Sequence, residues 1–184
     1  NDLWAYAMHF VDYGMQEQRQ GSAEFDVHSY RLQYADLRQV YRKNWEAYYR
    51  HYIDYGRREG RQGTGCSSLQ GAITAYQGKD YSAVYNFAYY MEKNSDIKAV
   101  YGDDDIGAIE HFVKVGMSEG RSASAEFDID SYRRRYADLR RAFGNDKKAY
   151  YQHYISYGKS EGRQGTGCSS LQGAVTMYDG VDYA

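Results

Sequence analysis

Apolar and aromatic positions recur along the chain at helical spacing in short bursts, each opened by a small polar residue and closed near a glycine. In residues 25–61, Tyr30, Tyr34 and Leu37 stand three or four apart, and Ala47, Tyr48, His51, Tyr52 and Tyr55 form a second stripe. That spacing puts side chains on one face of a helix. Asp26 stands where a carboxylate accepts from the free N–H groups of a first turn, and Phe25 and Tyr30 flank it as a hydrophobic staple. Asn86 and Asp128 hold the same place ahead of Tyr90 and Tyr132. A second helix is expected from Asn44, whose counterparts Asp2, Asp104 and Asp146 can also cap. Gly14, Gly56, Gly116 and Gly158 are expected to end that helix in the left-handed conformation glycine readily adopts. The pattern thus predicts a helical hairpin per unit, too thin to bury a core alone and dependent on its neighbours.

The bursts repeat. The run Gln-Gly-Thr-Gly-Cys-Ser-Ser-Leu-Gln-Gly-Ala at 62–72 returns at 164–174, so that Cys66 and Cys168 lie 102 positions apart. His9 and His111, Tyr30 and Tyr132, and His51 and His153 share that offset, and residues 1–82 map onto 103–184 without a gap. A shorter unit lies inside the long one. Aligning His51 with His111 also aligns Asp36 with Asp96, Gly56 with Gly116, Glu59 with Glu119 and Arg61 with Arg121. This unit occurs at 25–61, 85–121 and 127–163, and residues 1–19 match its second half. Two connectors join the copies: a short one at 122–126 and a long one at about 62–84 that carries the cysteine. In the long connector, residues 72–76 and 81–85 around Gln77-Gly78-Lys79-Asp80 read as a small β-hairpin, and Asp179-Gly180 is a turn signal in the second copy.

The expected fold is mainly α: tandem helical-hairpin repeats with small β-hairpin connectors. The segments are a partial repeat at 1–21, a repeat at 22–63, a Cys-containing connector at 64–84, repeats at 85–121 and 122–165, and a second, truncated connector at 166–184. The pattern is cut at both ends, so the chain is expected to be part of a longer array.

Composition narrows the partners. The formal net charge is −2, which argues against the concentrated basic surface that nucleic acid or an anionic membrane requires. No apolar run approaches the ~20 residues of a membrane span, so no membrane insertion is expected. Aromatic residues make up 17% of the chain, too many for a disordered polar linker. The absence of proline excludes a proline-rich stalk.

His9, His51, His111 and His153 each fall on the stripe that faces the core and read as hydrogen-bonded packing residues. Gly56, Gly116 and Gly158 are read as structural with them. A zinc site needs three or four converging ligands, and no Cys/His cluster has that spacing, so neither metal nor cofactor is expected. Cys66 and Cys168 suit a small thiol in a glycine-rich turn, or a disulfide to each other or to another chain in an exported protein. A catalytic thiol would need a base beside it, and a thioester with Gln70 is a formal alternative. The Glu-Gly-Arg tails at 59–61, 119–121 and 161–163 suit helix-end satisfaction and local pairing. Asp103-Asp104-Asp105 lacks the alternate-ligand loop of a calcium hand. No nucleophile–base pair or phosphate loop emerges, and an enzyme is not expected.

Tyrosine is the unusual resource, with 23 copies. It offers large, rigid contact area with a polar tip, which suits recognition. Tyr49 and Tyr151 fall off the stripe and are expected to point outward. Arg50, Arg57 and Arg58 flank the first cluster, and Arg is another common hot-spot residue. The partner-binding set is therefore Tyr48, Tyr49, Arg50, Arg57, Arg58, Tyr150 and Tyr151. The competing reading is that these tyrosines only seal the contact between units.

The unit Phe127-Asp128, Tyr132, Tyr136, Asp138-Leu139, Ala149, His153-Tyr154, Tyr157-Gly158, Glu161-Gly162-Arg163 resembles a short helical repeat of bacterial exported proteins. With its Asp-Tyr-Ser-Ala-Val-Tyr connector at 80–85, the chain is similar to arrays on surface proteins and wall hydrolases of Gram-positive gut bacteria, some of them immunoglobulin-binding and superantigen-like. Where that family usually has Asn-Pro before the Asp, this chain has Tyr34-Ala35 and Ser95. The resemblance implies an extracellular, cell-surface or secreted binding module whose partner is a host protein, with an immunoglobulin variable region as the named candidate. The alternatives are a module that targets a hydrolase to a cell-wall glycan, and a structural spacer.

Overall fold

A computed structural model describes residues 2–173, 177, 178 and 180–182. It is mainly helical and forms two compact units, 1–73 and 74–184, so the division falls inside the long connector. The first unit holds α1 (Leu3–His9), α2 (Val27–Gln33), α3 (Ala35–Tyr41) and α4 (Trp45–His51). The second opens with a two-stranded hairpin, β1 (Ala75–Tyr76) and β2 (Lys79–Asp80). It continues with α5 (Phe87–Lys93), α6 (Ser95–Tyr101), α7 (Asp105–His111), the single turn α8 (Met117–Glu119), α9 (Ile129–Arg135), α10 (Ala137–Phe143) and α11 (Lys147–His153). It ends with β3 (Met177–Tyr178) paired to β4 (Val181–Asp182).

The seven helix starts read as capped from the sequence carry the cap in space. Asp26 accepts from Ser29 N–H at 2.6 Å, Asn86 from Tyr89 N–H at 2.9 Å and Asp128 from Ser131 N–H at 2.6 Å. Asp2, Asn44, Asp104 and Asp146 cap α1, α4, α7 and α11 in the same way. The staple rings meet, Phe25 on Tyr30 at 5.2 Å and Phe127 on Tyr132 at 5.2 Å.

The first arm of each unit departs from the expected single helix. It is two short helices broken at one extended residue: Tyr34 (φ −113°, ψ 98°), Asn94 (φ −129°, ψ 83°) or Tyr136 (φ −111°, ψ 101°). The side chain at the break reaches the loop that closes the unit. Tyr34 and Tyr136 accept from the N–H groups of Gln62 and Gln164 at 2.8 and 2.7 Å, and Asn94 donates to Ser122 O at 2.9 Å. The break sacrifices little backbone bonding, since Tyr34 N–H still donates to Tyr30 O and Tyr34 O still accepts from Arg38 N–H. A second bond shuts each unit: Asp26, Asn86 and Asp128 N–H donate to Gly63, Ala123 and Gly165 O.

The expected left-handed stop at Gly14, Gly56, Gly116 and Gly158 is corrected. None of the four has a positive φ, and Gly116 is right-handed at φ −56°. The second arm instead widens into a π turn at Phe10–Gly14, Tyr52–Gly56, Phe112–Gly116 and Tyr154–Gly158, where Arg57 N–H reaches Tyr52 O five residues back at 3.1 Å. The left-handed residue comes four positions later, at Gly60 (φ 71°), Gly120 (φ 76°) and Gly162 (φ 70°). Arg61 N–H donates to Gly56 O and Gly60 N–H to Arg57 O, the paired bonds of a Schellman end. Glycine is required at the π turn for space. A Cβ on Gly116 would lie 2.7 Å from Tyr90 Oη, and one on Gly56 or Gly158 would strike the hydroxyl of Tyr30 or Tyr132.

The connector hairpin is smaller than expected. Its turn is Gln77-Gly78, both residues at positive φ, and residues 81–85 are not a strand. Val84 and Tyr85 are drawn into the core ahead of the Asn86 cap, and Asp80 ends the strand by accepting from Thr74 Oγ1, Ser82 N–H and Ser82 Oγ. In the second copy the strands pair alike and Gly180 has φ 78°, while Asp179 lies outside the described residues.

Gly56→Ala should lower the stability of the first unit by about 1–3 kcal/mol through forced overpacking. Part of that loss should be recovered in Gly56→Ala/Tyr30→Phe, which removes the colliding oxygen; denaturant melts of the four-member cycle measure the coupling.

Candidate interaction surface

The helix stripes converge on a tyrosine–histidine pair in each complete unit. Tyr30, Tyr90 and Tyr132 are fully buried, and their hydroxyls hydrogen-bond Nδ1 of His51, His111 and His153 at 2.9, 2.9 and 3.0 Å. Burial first, then the nearby Arg121 or Arg163 guanidinium, holds His111 and His153 below the ordinary 6.5. A neutral ring with its proton on Nε2 can accept from the phenol. Burial likewise pushes the Tyr30, Tyr90 and Tyr132 phenols upward, so each remains a donor at neutral pH.

The expected outward tyrosines are inside. Tyr49 is 3% and Tyr151 2% exposed, and Tyr48 and Tyr150 are fully buried. Tyr49 sits edge-on to Phe10 at 5.7 Å and on Phe25 at 5.1 Å, and its hydroxyl donates to Arg19 O at 2.8 Å. Burial pushes its phenol up to about 12. Tyr151 repeats the arrangement on Phe112, Phe127 and Arg121 O. Tyr48 and Tyr150 donate to Arg42 O and Gly144 O. A second arm is thus packed on two sides: one stripe faces its own first arm, and the residue off the stripe seals the contact with the preceding copy. Counting one stripe per helix hides this second face.

Arg50, Arg57 and Arg58 are exposed. The tyrosine beside them is Tyr55, 57% exposed, with Ile53 at 58%. The heptad-like spacing places Tyr55 inward. The π turn adds one residue, advances the register by roughly 100°, and swings Tyr55 out while Gly56 turns in. Tyr157 is 61% exposed for the same reason. Arg58 lies over Tyr55 at 6.0 Å, Arg57 over Tyr52 at 5.5 Å, and Arg57 pairs with Glu24 at 3.0 Å. Beside them a groove of about 160 Å³ is lined by Phe10, Phe25, Tyr49, Tyr52, Ile53 and Arg57. Its walls are mostly apolar carbon, with the guanidinium as the charged group.

Arg38 and Arg140 carry a structural role with no signature in the stripe pattern. Arg38 is fully buried, and its guanidinium donates to Arg31 O and Leu32 O at the end of α2 and to Gln70 O and Gly71 O of the connector, all at 2.7–3.0 Å. Arg140 binds Arg133, Arg134, Gln172 and Gly173 carbonyls alike. Lys98 holds the place in the copy that is followed by the short connector, so arginine goes with the cysteine-bearing one. Ser29 and Ser131 add a bond each, accepting from Cys66 and Cys168 N–H at 2.7 Å. Both cysteines are free thiols that donate to Ser68 O and Ser170 O at 3.1 Å. No group of three or more metal-ligating side chains occurs among the described residues. No described helix is long and apolar enough to cross a membrane.

The tails at 59–61, 119–121 and 161–163 form ion-pair triads. Arg61 binds Asp36 and Glu59, and lies over the Tyr34 ring at 4.7 Å. Arg121 binds Asp96 and Glu119, and Arg163 binds Asp138 and Glu161. The hydrogen bond from Arg61 holds the Asp36 carboxyl below its ordinary range. These carboxylates are largely exposed, so each pair contributes little alone.

No family model, curated protein or solved structure matches the chain.

Arg38→Met should remove the guanidinium from four carbonyls, of which Leu32 O keeps the Gln70 N–H, and cost the first unit roughly 3 kcal/mol. Limited proteolysis should then cut within 64–73 first, and the Cys66 thiol should label faster. His111 and His153 set a pH window. Their folded pKa lies below the unfolded one, so their contribution is complete above 6.5 and is lost as pH falls through the lowered folded value. Thermal melts from about pH 7.5 to about pH 5 should show the second unit weakening. A His111→Gln/His153→Gln variant should show a flatter dependence over that span.

Proposed function

We propose that the chain is a non-catalytic extracellular binding module that docks a host protein, for which the family resemblance names an immunoglobulin variable region. The observation that supports this reading is the outer face of α4 and its π turn. It presents two exposed apolar side chains, Ile53 and Tyr55, beside three exposed arginines and a groove sized for one apolar side chain. Arg57 at the groove favours a partner whose inserted side chain is flanked by a carboxylate or carbonyl. The second copy carries Tyr157 in the same place but has Gln152, Lys159 and Ser160 where Arg50, Arg57 and Arg58 stand, so the proposed contact belongs to the first unit.

Cys66, half-buried, and Cys168, buried, support a structural rather than a nucleophilic role, because each thiol donates to a backbone carbonyl of its own turn. Tyr48, Tyr150 and Tyr151 lie in the cores and are not part of the proposed contact, and Tyr49, itself buried, enters it only as a wall of the groove.

Surface plasmon resonance against pooled immunoglobulin, with a cell-wall pull-down in parallel, tests the reading. Saturable immunoglobulin binding that falls at least about tenfold in Ile53→Asp/Tyr55→Ala, with the melt unchanged, is the expected result. Retention on walls without immunoglobulin binding would replace it with glycan targeting, and silence in both would leave a spacer.

A further inference from the structure

Arg135, at the end of α9, differs from the guanidiniums that hold the second unit together. Arg121 and Arg163 each bind two carboxylates, and Arg140 gathers four carbonyls. Arg135 is half-buried, yet no carboxylate among the described residues lies within ion-pair distance of it. Its one hydrogen bond among them runs from Nη2 to Thr166 O at 2.9 Å, and its Nε is buried with no acceptor. A guanidinium has five N–H donors and a permanent charge, so one held out of water with a single acceptor favours an anion. Nη1 and the second hydrogen of Nη2 are left as an end-on fork.

That guanidinium forms one wall of a pocket of about 470 Å³, whose other walls are Gly167, Cys168, Ser169, Ser170 and Gln172. The volume falls within the span of small-molecule sites. The loop that builds it is tied in place. Cys168 N–H donates to Ser131 Oγ at 2.7 Å, the Cys168 thiol to Ser170 O at 3.1 Å and Gln172 N–H to Arg134 O at 2.9 Å. Gln172 spends its amide nitrogen on Ser170 Oγ at 3.1 Å, which leaves the amide oxygen to accept and the Ser170 hydroxyl to donate. Ser169 adds a second, exposed hydroxyl.

The first unit has the same loop without the charge. Gly65, Cys66, Ser67, Ser68 and Gln70 repeat the other walls, and Cys66 N–H is held by Ser29 Oγ at 2.7 Å, but Gln33 stands in the place of Arg135.

We propose that this pocket binds an acidic sugar, with its carboxylate on Arg135 and its hydroxyls on Ser169, Ser170 and Gln172. The planar fork of a guanidinium matches a carboxylate in two parallel bonds. The space is larger than a bare ion needs. The walls offer donors and acceptors for hydroxyls and, beyond the Cys168 thiol, no apolar side chain, so they do not suit the side chain of a peptide. The site is independent of the Ile53 and Tyr55 face and holds whichever partner that face takes.

NMR titration of the 184-residue chain with glucuronate, glucose and sulfate at constant ionic strength tests this, with the Arg135 Nε–H signal as the local reporter. Glucuronate should shift that signal saturably, with glucose and sulfate each at least about tenfold weaker, and Arg135→Gln should weaken glucuronate by a similar factor. Gln33→Arg should install the same response in the first-unit loop. If Arg135→Gln fails to melt like the parent, the gain in Gln33→Arg supports the proposal and its absence overturns it. No response to glucuronate, an equal response to glucose, or binding unchanged in a folded Arg135→Gln would overturn it too. So would sulfate binding as tightly as glucuronate, since the pocket would then hold an ion and not a sugar.

Discussion

The contact of a buried tyrosine hydroxyl with a glycine and a histidine of the facing arm organises each unit. Tyr30 lies where its oxygen meets His51 and leaves no room for a Cβ on Gly56. Tyr90 does the same with His111 and Gly116, and Tyr132 with His153 and Gly158. A phenol buried to this depth needs a partner for its polar tip. The π turn supplies the geometry by rotating the glycine toward the ring and the following tyrosine away from it. Local backbone irregularity, core polarity and surface display are therefore one linked arrangement.

That arrangement explains why so much tyrosine fits in helices this short. Tyr48 and Tyr150 end on backbone carbonyls within their own units, and Tyr49 and Tyr151 end on carbonyls of the copy before. The hydroxyls satisfy helix ends and loops that would otherwise need water or caps. Tyr85 is the exception. It stands where Phe25 and Phe127 stand in the other copies, is 1% exposed, and its hydroxyl lacks a hydrogen-bond partner. The cost of that orphan oxygen shows that ring volume, not polarity, is what the position demands.

The long connector is held by charge rather than by its own hairpin. Two-residue strands are too short to stand alone. The Arg38 and Arg140 guanidiniums gather carbonyls from both the connector and the preceding helix, and Ser29 and Ser131 fix the cysteine backbone. The cysteine turn is thereby anchored to a first arm, and the outer face of the second arm with Ile53 and Tyr55 is left open for contact.

Sequence alone determined the class of the fold, the periodic units, the seven caps and the placement of His51, His111 and His153 against the buried tyrosines, because all of these follow from local spacing and from side chains that bond three residues ahead; the same reading of His9 is corrected, since its ring is exposed. Tertiary structure decided the break at Tyr34, where a long-range bond to Gln62 outweighs helical continuity. It decided the meaning of Gly56, which answers to the volume of Tyr30 and not to backbone handedness. It also decided which tyrosines face out. The wide turn shifts the register after His51, so Tyr55 is displayed, while Tyr49, ahead of the turn, is buried by packing on the preceding copy, and neither the extra residue in that turn nor the second packing face has any periodic signature in the chain.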